Sequence, residues 1–138
     1  MTDDLVRVCL GGVLVAVGGG AGAMLRAAVD ERLTRLWGRK LLSLTVINVA
    51  GSLVLGLVWA YGASVVTGRG WGAFVAMHLW AVGACGGFTT FSTVMVEVVN
   101  AGSAGRGGRA LASLAAMLIL SIIAFVLGIE LGGSAAAH

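Results

Sequence analysis

The residues with the clearest chemical potential are a run of glycines and hydroxyls, GGFTTFST, at positions 86–93 of a long apolar stretch. Gly86 and Gly87 raise the free energy of helical backbone, and Thr and Ser side chains can satisfy the amides that an interruption releases. Non-helical backbone at membrane depth is stable only where it is buried in protein or lines a water-filled cavity, and its carbonyl oxygens are natural cation ligands. The pattern predicts a helix break at about 86–90. The alternative is a kinked but continuous packing helix.

Two further polar side chains stand in apolar surroundings. Asn48 lies among valines, isoleucine and alanine. Because an amide in hydrocarbon needs hydrogen-bond partners, Asn48 is predicted to face protein or water. Arg26 ends the first apolar stretch, where a guanidinium can attract anions or extend to lipid headgroups.

The elements that must position these residues are membrane-spanning helices. The chain has 138 residues, of which 59% are hydrophobic and 11% charged, so it cannot build a water-soluble surface of ordinary polarity. Four uncharged runs approach or exceed the roughly 20 residues that a helix needs to cross a bilayer. The predicted fold is an all-α membrane protein in one domain, with spans at about 5–29, 41–66, 71–97 and 109–131. A signal peptide is the alternative for the first run, although that run is longer than the usual apolar region.

Several function classes are disfavoured by composition. Cys9 and Cys85 both lie in apolar runs, which indicates neither a disulfide nor a metal site. The net charge of +3 is modest and its arginines are scattered over loops, so nucleic acid is not an expected partner. No paired acids or His-containing constellation indicates an enzyme.

The positive charges predict one fixed orientation. Arg7 and Arg69 lie on the side of the amino terminus and second loop, whereas six cations lie in or near the first and third loops: Arg32, Arg35, Arg39, Lys40, Arg106 and Arg109. By the positive-inside rule, the first and third loops face the cytoplasm of a cell-membrane protein and both termini face outward.

Three segments together resemble the Fluc, or CrcB, family of fluoride channels. They read GGGAGAMLR at 18–26, NVAGSLVLG at 48–56 and GGFTTFST at 86–93. Each glycine pattern is weak alone, but three in this order in a four-span chain are specific, and the likeness covers nearly the whole chain.

The resemblance implies a passive, fluoride-selective channel that exports cytoplasmic fluoride and so confers fluoride resistance. Two subunits would pack antiparallel, with two narrow pores and a central structural Na⁺ held by the backbone carbonyls of Gly86 and Thr89. The anion path would be lined by Asn48, Phe91, Ser92 and Thr93, with Arg26 at a vestibule. Amide and hydroxyl donors can replace the water around a small anion, and the positive edge of a ring adds weak attraction.

Several positions depart from the family pattern. Val94 stands where a second phenylalanine is usual, Leu44 where a threonine is frequent, and Ser113 and Met117 where a tyrosine and a serine are often found. Together with the six-to-two charge bias, these losses suggest that the subunit pairs with an oppositely oriented paralogue, since one of the two pores of such a pair could decay. Pairing with itself is the alternative.

Two other functions compete with the channel. A small multidrug exporter also has four short spans, but it needs an ionisable carboxylate deep in a helix, and every Asp and Glu here lies at a span end or in a loop. A non-conducting assembly subunit would account for the glycines but not for the hydroxyl run.

Overall fold

Helices account for almost all of the described chain. The computed structural model describes residues 2–65 and 70–136. The helices are α1 (Thr2–Trp37), α2 (Lys40–Val65), α3 (71–88), α4 (Ser92–Ser103) and α5 (Gly107–Ala136). α3 and α4 together form the third span. Four helical segments in this part are long and apolar enough to cross a membrane: Leu5–Trp37, Lys40–Ala60, Met77–Ser103 and Gly107–Ser134. The predicted all-α architecture of four spanning helices is confirmed, while Val66 and Arg69 lie outside the described residues.

α1 continues about two turns beyond the predicted end of its span at residue 29. The extra turns carry charged residues, and two contacts stabilise them as helix: Arg35 pairs with Glu31 one turn away, and Thr34 Oγ1 donates to Asp30 Oδ1 at 3.3 Å. The helix ends where Gly38 adopts a φ of +63°, with its N–H donating to Thr34 O at 2.8 Å. Only Gly38 and Arg39 separate α1 from α2.

A buried polar cluster holds α1 and α2 together at this end. Asp30 is 6% exposed, and its carboxylate accepts hydrogen bonds from the Lys40 ammonium and from Ser43 Oγ, the latter at 2.7 Å. Because the buried charge is paired and hydrogen-bonded, its burial is tolerated. The cluster fixes where the second helix starts relative to the first.

The third span is irregular along most of its length. Within α3, residues Trp71–Val75 are α-helical, Ala76–Cys85 form a wider π-helix, and Gly86–Phe88 return to α-helix. Thr89, Thr90 and Phe91 are not helical, and α4 follows them. The break therefore lies at 89–91, three residues later than its predicted start, and both glycines of the GG pair are helical.

Glycines bring the helices together in two pairs, α1 with α3 and α2 with α5. A Cβ on Gly22 would lie 2.1 Å from Ala84 O, and a Cβ on Gly87 would lie 2.1 Å from Gly19 O. In the other pair, a Cβ on Gly56 would lie 2.2 Å from Phe125 O. These positions accept no side chain, so the glycines there permit close contact between the helices.

Candidate functional site

The site is built around the three non-helical residues of the third span. A break of this kind removes helical partners from the backbone on both sides. Before the break, Thr89 N–H and Oγ1 both donate to Cys85 O at 3.0 Å, which closes the last turn of α3. The next amide, that of Thr90, turns away from its own helix.

Asn48 on α2 binds both backbone groups of Thr90. Its Oδ1 accepts from Thr90 N–H at 2.9 Å, and its Nδ2 donates to Thr90 O at 3.1 Å. Nδ2 also donates to Leu44 O at 2.9 Å and lies 3.4 Å from Met117 Sδ. The side chain is 7% exposed, so each of these polar groups would be costly to leave unpaired. The amide thus stabilises the break and explains why a lone asparagine occupies this apolar helix.

This arrangement uses both amide hydrogens of Asn48 inside one subunit. Asn48 was expected to face protein or water, and in the structure its amide contacts protein. An anion that reached Nδ2 would have to replace a carbonyl oxygen there. Its direct contact with fluoride stays a prediction, and the geometry gives Asn48 a positioning role first.

The carbonyl oxygens of Gly86 and Thr89 have no hydrogen-bond donor among the described residues. Thr90 N–H, the helical partner of Gly86 O, is directed to Asn48 instead. The partner of Thr89 O would be Thr93 N–H, and that amide points to Thr90 Oγ1 at 3.4 Å. Two hard oxygens per subunit are therefore released where the sequence predicted cation ligands, a donor set suited to Na⁺.

Arg26 reaches the break from α1. Its Nε donates to Gly87 O at 3.4 Å, and the residue is half-buried. The guanidinium thus satisfies one of the carbonyls that the interruption leaves without a helical partner. The structure brings Arg26 to the break itself, and its proposed effect on anions at a vestibule stays a prediction.

Thr90 is a site residue that the sequence interpretation did not single out. Its Oγ1 donates to Thr93 Oγ1 at 3.0 Å and faces Thr93 N–H, so it caps the first turn of α4 from just outside the helix. A hydroxyl three residues before another polar residue at a helix start is the available signal for such a cap.

The outer side of the break lies at the surface of the single subunit. Phe91 is 55% exposed, and Gly86 and Ser92 are also exposed, whereas Thr93 is half-buried. The predicted path residues therefore separate into two groups. Phe91 and Ser92 point away from the bundle, and Asn48 lies inside it.

Three of the four departures from the family pattern lie together in space, and Ser113 lies outside their cluster. Leu44, Val94 and Met117 are 0%, 1% and 3% exposed and belong to one apolar cluster, together with Val98 and Ala110. They come from α2, α4 and α5, and Met117 touches Asn48. The space next to the Asn48 amide is therefore filled by apolar side chains.

Comparison with known proteins identifies the family of the chain. The family model described as CrcB-like protein, Camphor Resistance (CrcB), matches residues 13–129. The chain belongs to the CrcB family. All the predicted site residues of this CrcB chain fall within the matched range.

A relative from Corynebacterium jeikeium (strain K411) is named Fluoride-specific ion channel FluC 1. It is 41% identical to the CrcB chain over 83 residues, which are 55% of this chain and 59% of the relative. The match thus spans somewhat more than half the length of that relative. The likeness supports a multi-pass membrane protein and the prediction that the chain is not an enzyme.

Proposed function

We propose that this chain is a subunit of a fluoride-selective channel that lets cytoplasmic fluoride leave passively across the cell membrane. The observation that carries the proposal is the break at 89–91, where polar backbone and hydroxyl groups are exposed on a membrane-spanning surface. Such groups are not stable against lipid, so they require water or protein beside them. The CrcB family and the name of the relative support fluoride as the conducted ion.

Antiparallel pairing of two subunits would shield the exposed polar groups of the break from lipid. A two-fold axis in the membrane plane would bring the two mid-span breaks together, and Phe91 and Ser92 would then face the partner or a water-filled path between them. The partner is a second copy or an oppositely oriented paralogue. The apolar cluster at Leu44, Val94 and Met117 favours the paralogue, because this subunit offers few polar groups beside Asn48.

A structural Na⁺ fits the released oxygens of the break. The carbonyls of Gly86 and Thr89 from both subunits would hold it at the centre of the pair. A monovalent cation there would offset the negative ends of four peptide dipoles. The remaining residues act without it: Asn48 orients Thr90, and Thr90 caps α4.

The proposal is tested first in the native host, where any partner chain is present. Deleting the gene is expected to raise sensitivity to fluoride while leaving sensitivity to chloride and bromide unchanged. The wild-type gene should restore growth, and a Phe91→Ala gene should restore it less well than Phe125→Ala, since Phe125 lies on α5 beside Gly56. Unchanged fluoride sensitivity of the deletion strain would overturn the proposal.

Liposomes distinguish the two kinds of pairing. The purified chain alone is reconstituted with fluoride inside, and efflux is followed with a fluoride electrode. Full efflux from the single chain would contradict an obligatory paralogue and establish the homodimer. If efflux appears, replacing Na⁺ by K⁺ on both sides should reduce it. Equal rates in the two salts would argue against the central sodium.

A further inference from the structure

A groove of about 660 Å³ lies at the end of the bundle that carries the first and third loops. It is bounded by the start of α2, the end of α4 and the start of α5. None of the predicted site residues lines it. By the charge bias of the loops, this end faces the cytoplasm.

The groove is strongly basic. Four cations line it, Arg39, Lys40, Arg106 and Arg109, against one carboxylate, Glu97. Lys40 is compensated by Asp30, but no ion pair of the three arginines is found in the part of the chain that the structure describes. The first turns of α2 and α5 border the same space, and their free N–H groups add to its positive potential. The groove therefore favours an anion.

Part of the groove lining is apolar. Leu42 and Leu120 line it and are 38% and 46% exposed. Cations and exposed leucines in one groove match the division of a phospholipid into a phosphate headgroup and acyl chains.

The groove borders the apolar cluster of the interior. Leu41, Ala101 and Ala110 line it and pack on or belong to the cluster of Leu44, Val94 and Met117. Three polar side chains also line the groove, namely Thr45, Asn100 and Ser113. The groove is also far larger than a single halide ion, so its shape suits a resident ligand better than a conducted one.

We propose that this groove binds the phosphate group of an anionic phospholipid, with Arg39, Arg106 and Arg109 on the phosphate and the acyl chains along Leu42 and Leu120. Arginine guanidinium groups form paired hydrogen bonds with phosphate oxygens. The proposal does not rest on the channel activity proposed above.

The test compares two double variants of equal charge. Arg106→Gln with Arg109→Gln removes two groove cations, and Arg32→Gln with Arg35→Gln removes two exposed cations near the same loop but outside the groove. The purified proteins in detergent are titrated with phosphatidylglycerol or phosphatidylcholine of identical acyl chains. Bound lipid is counted by native mass spectrometry, and thermal unfolding is measured in parallel.

The wild type and the control pair are expected to prefer phosphatidylglycerol, and the groove pair to bind it about tenfold or more weakly. Inorganic phosphate at equal concentration should raise the unfolding temperature much less. The lipid site is overturned by equal binding of the two lipids, by equal loss in both double variants, or by a phosphate effect as large as that of the lipid. A change of oligomeric state without lipid preference would assign the groove to subunit contact instead. If the groove pair does not fold, Arg39→Gln alone is used against Arg32→Gln.

Discussion

Two regions of this molecule, one helical turn apart, are stabilised at membrane depth in opposite ways: one by hydrogen bonds and the other by apolar packing. On α2, Asn48 and Leu44 are separated by four residues, and across from them Thr90 and Val94 are separated by four residues on the third span. At the break, the Asn48 amide and both backbone groups of Thr90 are hydrogen-bonded to each other. In the next turn, Leu44 and Val94 are almost completely buried in hydrocarbon. The buried amide of Asn48 is tolerated at this depth because its polar groups have partners, and the neighbouring layer of hydrocarbon keeps water from that pairing.

The largest effect is expected when the break loses its amide. Asn48→Leu leaves Thr90 N–H and Thr90 O without their Asn48 partner in a half-buried position, and we expect the free energy of unfolding to fall by about 2–4 kcal/mol. Chemical denaturation in detergent measures this. Asn100→Leu is the matched control, because Asn100 is exposed on α4 and should change stability by less than about 0.5 kcal/mol. Equal stability of Asn48→Leu and wild type would mean that the pairing does not support the break.

Much of the fold follows from the sequence because run lengths and hydroxyl content are local properties. The four spans and the interruption of the third depend on such patterns. The position of the break does not. Gly87 remains helical because Gly19 packs against it, so tertiary contact outweighs the low helix propensity of the glycine pair. The break begins instead where Asn48 offers partners.

The remaining features depend on contacts between distant parts of the chain. Asn48 and Thr90 are 42 residues apart, and Asn48 and Met117 are 69 apart. Hydrophobic pattern alone does not pair these positions. The departures at Leu44, Val94 and Met117 could be noticed singly, but only the structure joins them into one cluster. The π-helical stretch Ala76–Cys85 has no evident signal in the sequence.

The apolar layer is tested by placing a hydroxyl in it. Leu44→Thr removes hydrocarbon from a fully buried site and adds an unpaired polar group, so we expect a loss of about 2–3 kcal/mol in the free energy of unfolding. The same change two residues earlier, Leu42→Thr, affects a side chain that is 38% exposed and should cost less than about 1 kcal/mol. If both substitutions lower the free energy of unfolding equally, the apolar layer does not exclude water.

The smallest effect is expected at the cap of α4. Thr90→Val keeps the shape of the side chain but removes the oxygen that faces Thr93, and we expect stability to fall by about 1 kcal/mol. Thr90→Ser retains the hydroxyl and should stay near wild type. A loss in Thr90→Ser as large as that in Thr90→Val would assign the effect to the lost methyl group rather than to the cap.

The Asp30 cluster has a consequence for the order in which the chain assembles. Its contacts join residues only 10 and 13 positions apart, across a connection of two residues. Such local contacts close at low entropic cost, so α1 and α2 can dock as a helical hairpin as soon as both have left the ribosome. The amide of Asn48 must then wait until Thr90 has been synthesised, so the pairing that supports the break forms on a hairpin already in place.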